Sequence, residues 1–135
     1  MALAVGNGLK ELVVVAKDQP GEMNKVAETL GKNGVNMLAL CCYNVNGEGR
    51  IHFVVNDHDK GKQVLKKLDY KVTDGEVLML ELKHSPGELA RITAILAKAK
   101  INIDLLYGSG STYPSAQLVL RVSDLKKAEK VLGLE

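Results

Sequence analysis

Short, almost unbroken apolar runs alternate along this chain with segments whose apolar residues recur every three or four positions. The runs LKELVVVA (Leu9 to Ala16) and EVLMLEL (Glu76 to Leu82) are rich in Val and Leu, as expected of a strand buried on both faces. Each leads into a Pro-Gly pair and then a stretch of helical spacing. Met23, Val26, Ala27 and Leu30 form the apolar stripe of the first helix, and Leu89, Ile92, Thr93 and Leu96 that of the second. A strand from about Asn36 to Val45 then turns at Asn46-Gly47, a pair that accepts the positive φ angles of a tight hairpin, and returns as RIHFVVN. The later half repeats this around GSGSTYPS and returns as AQLVLRV. Further helices are expected over His58 to Leu68 and Leu125 to Leu132, and a last strand over Tyr70 to Thr73.

The two halves are copies. Shifting the sequence by 66 residues lays Asp18 to Leu40 over His84 to Leu106 without a gap, and seven of the 23 positions are identical, Pro20/Pro86, Gly21/Gly87, Glu22/Glu88 and Asn36/Asn102 among them. Several others, such as Met23/Leu89, Val26/Ile92 and Met37/Ile103, conserve size and class. After a one-residue slip, Asp57 and Leu65 meet Asp124 and Leu132. The order β-α-β-β-α-β in each copy predicts an α+β chain of two ferredoxin-like modules side by side, antiparallel sheets with helices on one face, over residues 9–74 and 75–135. The second module ends soon after its last helix, so its fourth strand is expected to be short, missing or replaced.

Local grammar sharpens the helix ends. Ser85-Pro86-Gly87-Glu88 reads as a helix start with Ser85 as cap and Glu88 completing a capping box, while the first copy carries Gln19 at the cap position. Gly34 suits the left-handed residue that closes a helix; Lys100, its counterpart, does not, so the second turn is expected to be built differently. Met37, Ala39 and Cys41 alternate with Leu38, Leu40 and Cys42, so both faces of that strand are apolar. Helices cover only one of them, which makes self-association through a sheet face or edge the natural expectation.

Composition narrows the function. Of 135 residues 46% are apolar and 25% charged, with a formal net charge of +2 and Lys and Arg spread along the chain. Aromatics are few, Phe53 and four Tyr with no Trp, so the basic face and stacking platforms of a nucleic-acid binder are not expected. No run is long enough to span a bilayer and no basic leader precedes one, which predicts a cytoplasmic protein with no membrane partner. Cys41 and Cys42 are neighbours on a strand and point to opposite faces, a poor arrangement for a disulfide or a metal; no metal or cofactor is expected. The histidines His52, His58 and His84 stand in no recognisable catalytic motif. A thiol-imidazole pair of His52 with Cys41 or Cys42 depends on hairpin register, and the expectation is that the chain is not an enzyme.

The recurring pattern of strand, Asp-x-Pro-Gly or His-x-Pro-Gly, helix, and Gly-Val-Asn or Lys-Ile-Asn opening the next strand resembles the ACT domain, a regulatory module of amino-acid metabolism. Two tandem copies account for nearly the whole chain. The resemblance implies modules joined through their second strands into one eight-stranded sheet, with free amino acids bound as effectors between them. One site would combine Asp18, Gln19, Pro20, Gly21, Glu22 and Met23 with Asn102 and Ile103; its twin would combine His84, Ser85, Pro86, Gly87, Glu88 and Leu89 with Asn36 and Met37. The chemistry suits a zwitterion: helix-start N–H groups favour a carboxylate, Gly permits close approach, an Asn amide both donates and accepts, and Asp18 favours an ammonium. Taken singly, the Pro-Gly pairs also serve to start helices, the Asn residues to enter strands, and Glu22 and Glu88 to favour helix N-termini. His84 replaces the usual acidic or amide residue, so unequal sites are expected. The alternative is a protein-interaction or dimerisation module that acts on a partner enzyme without binding a ligand.

Overall fold

The computed structural model describes residues 3–4, 9–83, 85–109 and 115–134. The elements in chain order are β1 (Leu3–Ala4), β2 (Lys10–Lys17), α1 (Glu22–Lys32), β3 (Met37–Val45), β4 (Glu48–Val55), α2 (His58–Lys66), β5 (Lys71–Glu76), β6 (Leu78–Lys83), α3 (Glu88–Lys98), β7 (Ile103–Ser109), β8 (Ser115–Val122) and α4 (Leu125–Val131). The chain divides into two compact units, one from Lys10 to Gly75 and one made of the first residues together with Glu76 onward.

Each unit has a four-stranded sheet, ordered β3-β4-β2-β5 in the first and β7-β8-β6-β1 in the second. The α+β class is as expected, and each unit follows the ferredoxin-like plan with a hairpin beside the first strand. In the second unit the place next to β6, held in the first by β5 next to β2, is taken by β1: Leu3 pairs with Glu81 and Ala4 with Leu80. The Leu9 carbonyl also accepts the Val77 N–H at 3.0 Å. The missing fourth strand is thus replaced by an earlier part of the chain.

Within its own sheet, β3 is an edge strand of the first unit and β7 an edge strand of the second. Both carry a register shift near their start, between Met37 and Ala39 and between Ile103 and Leu105. Such a bulge bends and twists an edge strand and breaks the flat row of backbone groups that strand pairing needs.

Alternation decides what the sheets bury. In the first unit Leu12, Val14, Ile51, Phe53 and Val55 meet Val26 and Leu30 of α1 and Leu65 of α2. In the second, Leu78, Leu80, Leu82 and Leu120 meet Ile92, Leu96 and Ala128. The helical stripe is narrower than the sequence suggested: Val26, Leu30, Ile92 and Leu96 are buried, while Ala27 is exposed and Leu89 is 47% exposed. The faces turned from the helices are also buried, at Glu11, Val13, Ala39, His52 and Val54 in the first unit and at Val77, Met79, Tyr107 and Val119 in the second.

Two turn expectations are revised. Helix α3 starts two residues later than Ser85 would place it, on Gly87 at φ 89° and ψ −9°, with no side-chain cap. Ser85-Pro86-Gly87-Glu88 is instead a type II turn, closed by the Glu88 N–H to the Ser85 carbonyl at 3.3 Å, with glycine where φ must be positive. Gly21 does the same at φ 91° and ψ −9°. At the far end, Lys100 takes the left-handed conformation after all, at φ 59° beside 71° for Gly34. Both helices close with the same two hydrogen bonds, Val35 N–H to Leu30 and Gly34 N–H to Gly31 in one, Ile101 N–H to Leu96 and Lys100 N–H to Ala97 in the other. Burying Ile101 and satisfying those carbonyls outweighs the roughly 1–2 kcal/mol that a side chain costs there.

Candidate functional site

In the first unit the Pro-Gly corner stands over the end of the sheet. Antiparallel pairing sets Ala16 opposite Gly49, Asn44 opposite the same Gly49, and Val14 and Cys42 opposite Ile51. The Asn46-Gly47 hairpin fixes this register, with positive φ at both residues. Between corner and sheet lies a cavity of about 370 Å³ lined by Ala16, Lys17, Asp18, Gln19, Pro20, Gly21, Glu22, Met23, Cys42, Asn44, Gly49 and Ile51. The first-corner residues expected from sequence, Asp18 to Met23, therefore share one cavity. Lys17, Cys42, Asn44, Gly49 and Ile51 were not anticipated, although the hairpin register would have led to the last four.

Backbone geometry makes this cavity receptive to an anion. Gly21 caps α1 without a side chain, so the first-turn N–H groups have no capping acceptor, and the helix dipole places partial positive charge there. Gly49 keeps the floor low; a Cβ there would stand 3.5 Å from Asn44 Oδ1 and 3.7 Å from the Ala16 and Lys17 carbonyls.

Negative charge sits beside it. The Glu22 carboxylate accepts from the Tyr70 hydroxyl at 2.8 Å and from Gln19 Nε2 at 3.2 Å. Desolvation, the hydrogen bond to Glu22 and the Glu22 charge push the Tyr70 hydroxyl up to about 12, so it remains a donor throughout the neutral range. Lys25 holds its ammonium over the Tyr70 ring, 5.4 Å from the centroid. A second cavity, of about 340 Å³, shares Ala16, Lys17, Gln19 and Glu22 with the first and is also lined by Val15, Lys25, Leu68, Asp69 and Tyr70.

The second corner repeats the backbone but not the charges. Glu88 is clasped by Arg91, Nε to Oε1 and Nη2 to Oε2, both at 3.1 Å. The guanidinium holds the Glu88 carboxyl below the usual carboxylate range and is itself raised. Ser85, Pro86 and Gly87 are exposed, as is Leu89; His84 lies outside the described residues.

Asn36 and Asn102 are strand-entry residues. The Asn36 N–H donates to Asn56 Oδ1 at 2.9 Å and its carbonyl accepts the Asn56 N–H at 3.1 Å. Asn102 is tied in the same way to Ser123, and its side-chain amide donates to Asp104 Oδ1 at 2.7 Å. Both residues are exposed, and each opens the strand at the end opposite its own unit's corner: Met37 pairs with Val55, whereas Asn44 pairs with Gly49 beside the corner. Neither Asn36 nor Met37 lines the first-corner cavity.

Register sets Cys41 opposite His52, but the imidazole is committed elsewhere. Its Nε2 and the Tyr43 hydroxyl are 3.0 Å apart, its Nδ1 and Glu11 Oε1 3.2 Å, and the Tyr43 ring stacks on it at 5.5 Å. Among the described residues no group of His, Cys, Asp and Glu is arranged to hold a metal, and no helix is long and apolar enough to cross a membrane.

No protein-family model matches the chain, and no curated protein matches it. Solved structures do. The chain is similar to a protein from Bacteroides thetaiotaomicron, with 27% identity over 93% of this chain and 87% of that one and a TM-score of 0.87. It is also similar to the regulatory subunit of aspartate kinase from Thermus thermophilus in its ligand-free form, at 12% identity, 98% and 95% coverage and a TM-score of 0.74. The corresponding subunit from Thermus flavus matches at 15% identity, 96% and 95% coverage and a TM-score of 0.68. The element order, the two four-stranded sheets and these likenesses together give the chain an ACT-like fold.

Proposed function

We propose that this chain is a non-catalytic regulatory protein that binds a free amino acid at its Pro-Gly corners. The observation that carries this reading is the first-corner cavity, where Asp18 to Met23 join an uncapped helix start and a carboxylate. The ligand carboxylate is held by first-turn N–H groups, its ammonium faces the acidic side chains, and a volume of about 370 Å³ suits a small zwitterion. Likeness in fold to regulatory subunits of aspartate kinase supports a regulatory role and a separate partner enzyme. The commitment of both His52 nitrogens to Tyr43 and Glu11 speaks against a thiol-imidazole catalyst.

Calorimetric titration with the twenty amino acids tests the reading. Saturable binding that is weakened by Asp18→Ala supports it; silence across the panel refutes it and leaves the interaction module. That second reading has its own observation, the edge strand β3 with Leu40, Tyr43 and Val45 at 46%, 41% and 38% exposure, a surface suited to self-association.

A further inference from the structure

We infer that Glu22, positioned by Tyr70, is the group that selects a ligand bearing a protonated amine at the first corner, and that Arg91 removes this capacity from the second. The inference rests on the amino-acid-binding reading above and says which of its two corners recognises the ammonium, and by what.

The two glutamates occupy the same place, directly after a glycine in the same left-handed conformation. Their partners differ in charge. Glu22 is held by two neutral donors, the Tyr70 hydroxyl and the Gln19 amide, one on each oxygen. A carboxylate oxygen has room for two acceptor interactions, so each keeps capacity for a further donor, and the negative charge is oriented without being neutralised. Among the described residues no salt bridge falls on Glu22. Lys25, at the helix position of Arg91, turns its ammonium to the Tyr70 ring instead. Glu88 spends both oxygens on one guanidinium, and its charge is matched where it stands.

The surroundings separate the two ends of a ligand. Tyr70, the residue just before β5, lines the smaller cavity but not the larger, whereas Glu22 lines both, so the tyrosine holds the carboxylate without itself bounding the cavity of about 370 Å³. The helix-start N–H groups in that cavity attract a carboxylate, and the charged Glu22 beside them attracts an ammonium. An α-amino acid satisfies both; a simple carboxylic acid satisfies only the first.

The test uses the full chain, the twenty amino acids, and for each one that binds the carboxylic acid lacking its α-amino group. In Glu22→Gln the amino acid should bind about 10–100-fold more weakly, the range for losing a hydrogen bond to a charged group, while the deaminated acid keeps its affinity. Tyr70→Phe should move the same ratio in the same direction by a smaller factor and add little to Glu22→Gln, which a purely structural tyrosine would not do. One site per chain should dominate the isotherm. Amino-acid binding within twofold of the original in Glu22→Gln, or two sites of equal affinity, overturns this inference and leaves the functional reading intact. No binding by any of the twenty overturns both.

Discussion

The first corner holds its glycine at φ 91° and ψ −9°, the second at φ 89° and ψ −9°, and each is followed by glutamate at the first position of an eleven-residue helix. Beyond the backbone they part: tyrosine and glutamine orient one glutamate, and arginine neutralises the other. A duplicated module keeps what its core and turn require, because a buried leucine or a left-handed glycine has few substitutes. Charges at the rim are freer to diverge, since water tolerates either arrangement, and such divergence is how two sites of one shape come to differ in chemistry.

The comparison can be broken most forcefully in the cores. Leu30→Ala and Leu96→Ala each empty a fully packed site and should cost about 2–5 kcal/mol apiece by urea denaturation. Similar costs would confirm that the stripes are equivalent; a cost near zero in one would show that its unit packs loosely. Next come the corners. Gly21→Ala and Gly87→Ala have open space around the new methyl, so only the backbone resists, by about 1–2 kcal/mol in each unit. A markedly larger cost in one corner would mean that the turn serves more there than geometry.

The helix ends sharpen the contrast by a smaller amount. Lys100→Gly should raise stability by about 1 kcal/mol, and Gly34→Lys should lower it by about as much, because the same left-handed position holds different residues. Thermal melts of the two single variants read both signs.

The smallest effect is one of pH. Asp74 of the first unit accepts from His58 at 2.9 Å and Lys62 at 3.0 Å, and these bonds lower its carboxyl from 3.8 to about 2. A depressed carboxylate stabilises the fold fully above its unfolded value and loses that contribution as pH falls from about 4 toward about 2. Asp74→Asn should flatten that part of the stability curve. An unchanged acid limb in the variant would show that the pair is not maintained in solution.

Periodicity and the internal repeat were enough to read the elements, their order and the buried positions, because Val26, Leu30, Ile92 and Leu96 recur at helical spacing and the strands are apolar runs. The corner residues were legible for the same reason, since Pro-Gly repeats at a fixed offset. Tertiary demands hid the rest. Lys100 adopts a glycine conformation because burying Ile101 requires that helix closure. Glu11 and His52 lie inside runs that read as apolar, and their burial depends on pairing across strands far apart in sequence. Tyr70 reaches Glu22 over 48 positions, a contact that no local pattern announces. Two residues of β1 carry no period at all.

That short strand makes the second unit discontinuous in the chain, with the whole of the first unit inserted between β1 and the remainder. A protease cut after Gly75 would trim the last residue of β5 from the first unit and sever β1 from its covalent link to β6. Circular permutation reverses the situation: joining the segment that carries Leu3–Ala4 behind Leu134 through a flexible linker would restore a contiguous second unit. In such a rearranged chain each unit would be one continuous stretch of sequence, which the present order of segments does not allow for the second.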